Sequence, residues 1–135
     1  MSTEKTFEVK YRLAGSQSVY PCRIQVASED MRDDGAIVVY VLIDPRTATV
    51  FYVGKTCHMA KRMCDHCKVH RSSRSVLAKR KIAIFDAGLC TKARIVHDAK
   101  THQEAEAVEH ALIVAHGKTL LNTKFTNAKL DGQHA

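Results

Sequence analysis

The chain has 135 residues, of which 45% are apolar, and a formal net charge of +7 at pH 7. That length suffices for one domain burying its own core without disulfide or metal support. No apolar run is long enough to span a membrane, Met1–Lys10 lacks a signal-peptide pattern, and five cysteines, an odd number, indicate reduced thiols and a cytoplasmic setting.

Thr6–Leu13 and Val19–Val26 alternate apolar and polar residues around Ala14-Gly15-Ser16-Gln17, which predicts an N-terminal β-hairpin. Pro21 makes its second arm an edge strand or delays its start. Ser28–Gly35 is an acidic linker or a short helical turn, and residues 1–36 together form an extension ahead of the main domain. Val38–Ile43 and Val50–Val53 are rich in β-branched and aromatic residues and read as two strands. Between them, Asp44-Pro45-Arg46 is a turn signal, because Pro presets φ and Asp closes an Asx-turn. Thr56 is the expected N-cap of a helix reaching His66 or Cys67. Ser73 is expected to cap a second helix through about Ala87, with Val76, Leu77, Ile84 and Ala87 facing inward and Gly88 as its stop. Ala93–Val96 reads as a short strand. Thr101 with Glu104 forms a capping box that opens a helix to about His116, before Gly117. Leu120–Asn122 follows as an extended or turn segment, the main domain closes near residue 126, and residues 127–135 are a polar tail.

Charge is unevenly distributed. Met1–Ala36 carries five basic and six acidic residues, and Thr101–Ala135 three and four, whereas Ile37–Lys100 holds thirteen basic against four acidic. A concentrated basic surface suits a polyanion, although a solvated lysine-rich face has the same composition. Between Lys55 and Lys81, nine basic residues face only Asp65, so Lys55, Arg71, Arg74, Lys79 and Lys81 are candidate phosphate contacts.

Five positions stand out in order: Tyr40 in Val38-Val39-Tyr40, then Tyr52-Val53-Gly54-Lys55, Arg62, Glu109 and Asn122. Taken singly, Tyr40 and Tyr52 are the kind of residue found in cores, and Arg62 the kind found on solvated helices. Glu109 lies on the inner edge of the stripe Ala105, Val108, Leu112 and Ala115, or else belongs with Glu104 and Glu106 on an exposed face. As an ordered set, spanning about Val38 to Thr123, these residues resemble the GIY-YIG nuclease family, with Val38 where that family usually has glycine. The resemblance implies a small α/β domain, a three-stranded and mainly antiparallel sheet flanked by helices, here with the N-terminal hairpin added. It implies a divalent-metal-dependent endonuclease acting on DNA, with Mg²⁺ or Mn²⁺ on Glu109. Tyr40 becomes the general base and Tyr52 its neighbour positioning the water or phosphate. Arg62 becomes the phosphate clamp, for which a forked guanidinium is suited. His66, four residues on, becomes an acid–base partner, phosphate donor or supporting group. Gly54 and Asn122 become structural braces. A phenol is a poor base unless positive charge lowers its pKa, and Lys55 and Arg62 are the candidates to supply it.

Two other readings use the same residues. One is a nucleic-acid-binding module of this fold without turnover. The other is a zinc-stabilised interaction domain using Cys57, Cys64, Cys67 and His70, whose ligand types suit zinc but whose spacing lacks a second CxxC. With no room for a separate DNA-binding domain, specificity must come from this domain, a homodimer or a targeting partner.

Overall fold

In the computed structural model, residues 4–8, 20–32 and 34–122 are described. Five strands form one sheet: β1 (Glu4–Glu8), β2 (Arg23–Ala27), β3 (Ile37–Asp44), β4 (Thr49–Thr56) and β5 (Thr91–Ala99), in the order β1-β2-β5-β3-β4. Helices α1 (Met59–Cys67) and α2 (Val76–Asp86) pack on one face, and α3 (His102–His116) on the other. The fold is therefore mixed α/β, with a central sheet flanked by helices.

β3 is buried along nearly its whole length because both of its faces are covered. Val38, Tyr40 and Leu42 point toward α1 and α2, joining Ile24, Phe51, Met59, Met63 and Ile84. Val39 and Val41 point the other way, joining Val53, Ala105, Ile113 and Leu120. Successive strand residues alternate between the two cores, as the pleat requires.

The expected three-stranded antiparallel sheet corresponds to β5-β3-β4. It does not stand alone: β2 pairs with β5 in parallel and carries β1 beside it, so the N-terminal strands extend the same sheet to five. The reason is the length of β5. The sequence shows Ala93–Val96 as its apolar centre, but the strand runs Thr91–Ala99, and its Thr91–Ala93 end offers β2 a free edge. The second N-terminal strand starts at Arg23, after Pro21, as a late-starting arm should. The expected turn Ala14–Gln17 and the tail lie outside the described residues.

Local signals explain most boundaries. Asp44 Oδ1 accepts from the Arg46 backbone N–H at 2.9 Å, closing the Asx-turn between β3 and β4. Thr101 accepts from Glu104 N–H and caps α3, whereas Glu104 reaches back to the N–H of Lys100, one residue ahead of the usual reciprocal bond. Two expected caps are displaced. Thr56 Oγ1 accepts from His58 N–H in a local turn, and the helix starts at Met59. Ser73 likewise accepts from Ser75 N–H, leaving Ser75 as the cap of α2. The inward face carries Ala78, Lys81 and Ile84, with Leu77 packed beside them as expected, while Val76 and Ala87 are exposed.

Candidate active site

Tyr40 lies mid-β3, directly opposite Gly54 of β4. A Cβ on Gly54 would fall 2.5 Å from Tyr40 Oη and 2.6 Å from its Cζ, so the absence of a side chain there makes room for the phenol. One register shift of β5 falls between Val39 and Tyr40, placing a bulge beside the same residue. The ring lies over the sheet toward α1, fully buried.

The first and last turns of α1 supply its partners. Arg62 and His66, four residues apart, share one face of the helix. Tyr40 Oη is 2.7 Å from His66 Nε2 and accepts from Arg62 Nε at 3.1 Å. Arg62 also donates to Tyr52 Oη at 3.2 Å, so one guanidinium bridges both phenols. The His66 ring stands edge-on to Tyr40 and Tyr52, with centroids 5.7 and 4.9 Å away. Beneath it, Lys81 of α2 places Nζ 2.9 Å from His66 Nδ1 and donates to the His66 carbonyl at 2.8 Å.

The cleft beside this cluster measures about 410 Å³ and is lined by β4 from Tyr52 to Lys55, by Arg62, and by Glu106, Glu109 and Asn122. Glu109 sits between Ala105 and Ile113 on the buried line of α3 and is 8% exposed. It is thus at the centre of the inward face, not its edge, because the stripe is Ala105–Glu109–Ile113 and Ala115 is exposed. Asn122 clamps the outer edge of β4: its Oδ1 accepts from Val53 N–H at 3.1 Å and its Nδ2 donates to Val53 C=O at 2.6 Å. With Leu121 N–H donating to Phe51 C=O, the segment pairs an otherwise open strand edge.

Burial controls the electrostatics. It holds His66 well below the ordinary imidazole value, with Lys81 and Arg62 acting in the same direction, so His66 is neutral. It draws Lys81 down to about 8, aided by Arg62 and opposed by Cys22 and Cys67. Tyr40 moves up, first through burial and then through Tyr52, against the pull of Arg62. The expectation that positive charge would lower Tyr40 is therefore outweighed by desolvation; the downward pull comes from Arg62, while Lys55 pairs with Glu106 at 2.9 Å.

The candidate phosphate contacts fare differently from one another. Lys81, 4% exposed, lies inside beneath His66 and is no surface contact, since it shares the inward face of α2 with Leu77 and Ile84. Arg71 makes a two-bonded pair with Asp86. Lys68 pairs with Asp65, and Arg80 with Asp44. Lys55 lines the cleft. Lys61, Arg74 and Lys79 are exposed and form no ion pair with any described residue. Apart from Asp65, the acids that offset this stretch come from outside its sequence window, which a local charge count does not register.

Cys57, Cys64, Cys67 and His70 do not gather. Cys67 is buried beside Cys22, and His70 stands edge-on to Tyr20 at 5.3 Å. Among the described residues no group of three or more His, Cys, Asp or Glu side chains could hold a metal ion. A magnesium site does not require three, because Mg²⁺ keeps several waters and takes one or two carboxylates together with substrate phosphate oxygens. Glu109, a carboxylate on the wall of an open cleft with Glu106 nearby, fits that demand.

No family model, curated protein or solved structure matches the chain. No helix of the described residues is long and apolar enough to cross a membrane.

Proposed function

We propose that this domain is a divalent-metal-dependent endonuclease of the GIY-YIG kind, hydrolysing phosphodiester bonds in DNA. One observation carries the reading: Tyr40, Tyr52, Arg62 and His66, drawn from two strands and a helix, are joined by direct hydrogen bonds beside the cleft that Glu109 lines. Packing alone has no use for two phenols, a guanidinium and a neutral imidazole in mutual contact. Phosphodiester hydrolysis has a use for each.

Glu109 is the residue to hold Mg²⁺ or Mn²⁺, whose charge would offset the negative charge that builds on the phosphoryl oxygens. Arg62 has two donors aimed into this region and grips the scissile phosphate. In the free protein its guanidinium lies against Tyr40 Oη. Engaging a phosphate draws it off that oxygen and lets water approach. Tyr40 then takes the water's proton and passes its own to the neutral His66 as the new P–O bond forms and the bond to the leaving oxygen breaks. Gly54 and Asn122 keep Tyr40 and β4 in register for this. Lys61, Arg74 and Lys79 are the surface charges that attract the DNA backbone.

The test is cleavage of plasmid, branched and single-stranded DNA by the purified protein with Mg²⁺, with Mn²⁺ and with chelator. Metal-dependent cleavage of at least one substrate is expected. Salt-sensitive binding without cleavage in either metal would replace this reading with a binding module of the same fold.

A further inference from the structure

Lys81 is a charged side chain buried away from the cleft wall, and the steps above leave it without a task. Its Nζ touches both the Nδ1 and the carbonyl oxygen of His66, and His66 Nε2 touches Tyr40 Oη. From the geometry of this chain we infer that Lys81 is a positioning residue that sets the tautomer of His66, and through it the direction of the Tyr40–His66 hydrogen bond. The inference rests on the nuclease reading for its catalytic consequence, but not for its physical content.

A neutral imidazole carries one N–H and one bare nitrogen, and the partner of one nitrogen decides the state of the other. As an ammonium, Lys81 has only hydrogens to offer, so Nδ1 must be bare and Nε2 must carry the proton. Nε2–H then donates to Tyr40 Oη, which already accepts from Arg62. In that state Tyr40 cannot pass its own proton to His66. As a neutral amine, Lys81 keeps a donor for the His66 carbonyl and offers a lone pair to Nδ1–H. Nε2 is then bare, and the Tyr40 hydroxyl donates to it.

Only the second arrangement lets a phenol with a raised pKa act as a base. As the water's proton reaches Tyr40 Oη, the phenol's own proton moves to His66 Nε2, and the positive charge on the ring is held by Nδ1–H donating to the lysine amine. Tyr40 is left neutral and no proton is unaccounted for. The groups facing Lys81 are His66, Arg62 and Cys67 on α1 and Cys22 ahead of β2, with Tyr40 and Tyr52 beyond the His66 ring. Burial and Arg62 favour the amine and the two thiols oppose it, leaving Lys81 to titrate at about 8. A second cleft of about 240 Å³, lined by both His66 and Lys81, gives that titration access to solvent.

The experiment is ¹⁵N NMR of the His66 ring in the full chain, free of nucleic acid, from pH 6 to 10. The expected result is a protonated Nε2 at neutral pH that exchanges places with a protonated Nδ1 at a midpoint of about 8. In Lys81→Met this exchange should vanish, and in Lys81→Arg, where the charge persists, Nε2 should keep its proton throughout. A wild-type tautomer constant over the whole range overturns the inference, as does an unchanged transition in Lys81→Met. In the cleavage assay, the wild-type rate should rise about tenfold per pH unit up to the same midpoint, and Lys81→Arg should lack that break. Absence of cleavage at every pH would remove the nuclease reading while the NMR result still decides the role of Lys81.

Discussion

Helices α2 and α3 each bury one charged residue between an alanine and an isoleucine: Ala78–Lys81–Ile84 and Ala105–Glu109–Ile113. The two charges are handled in opposite ways. Lys81 lies beneath His66, with its donors on that residue, and its pKa is displaced by burial. Glu109 lies on the wall of an open cleft, where a cation or a substrate can reach it. A charge within an apolar stripe can thus be turned toward the interior or toward a cleft, and only the surroundings of the helix decide which applies.

The comparison is sharpened first by removing each charge without leaving a gap. Lys81→Leu strands the His66 carbonyl and Nδ1, so unfolding in urea should show a loss of about 1–3 kcal/mol. Glu109→Leu continues an apolar stripe at the edge of a cleft and should cost less than that. Equal losses would mean that the fold draws as much stability from Glu109 as from Lys81. The pH dependence of the first loss has a fixed sign. Lys81 titrates at about 8 in the folded protein and near 10.5 when unfolded, so the unfolded chain binds the extra proton between those values. Wild-type stability should therefore climb across that window, and the climb should be absent in Lys81→Leu.

Next in size is the support beneath the cluster. Gly54→Ala drives a methyl into the Tyr40 ring, which is fully buried and held by Arg62 and His66, and should cost about 1–3 kcal/mol. Asn122→Ala leaves the Val53 peptide unpaired on both sides, with a cost in the same range. Both are read by thermal or urea unfolding. The smallest expected effect is at the surface. Replacing Arg74 and Lys79 by Ala should lower the dependence of DNA affinity on salt by about two charges, whereas Arg71→Ala should change it less, because Arg71 is already paired with Asp86.

The sequence made the central hairpin, the Asx-turn at Asp44, the cap at Thr101 and the late start of β2 legible, because each is written in a few adjacent residues. It also brought Tyr40, Tyr52, Arg62, His66, Glu109 and Asn122 forward as one set. It did not reveal that β2 would join β5, since pairing between strands so distant in the chain leaves no local mark. It assigned Lys81 to the surface by counting it with the basic run that begins at Lys55, although its place four residues after Leu77 and three before Ile84 puts it on the inward face of α2. The same period that drew notice to Glu109 singles out Lys81, between Leu77 and Ile84. Charge counted along the chain also overstated the open basic surface, because Asp44, Asp86 and Glu106 reach across the fold to neutralise it.

The central claim, that the Tyr40 cluster and Glu109 form a single phosphodiesterase site, is tested most directly by Tyr40→Phe and Glu109→Gln, assayed beside the wild type for DNA cleavage in Mg²⁺. Tyr40→Phe removes only the hydroxyl, and Glu109→Gln only the charge, so both should remain folded and still bind DNA. The account predicts that each abolishes cleavage, the second through a loss of several kcal/mol of transition-state stabilisation. Cleavage at wild-type rates by both variants would contradict it.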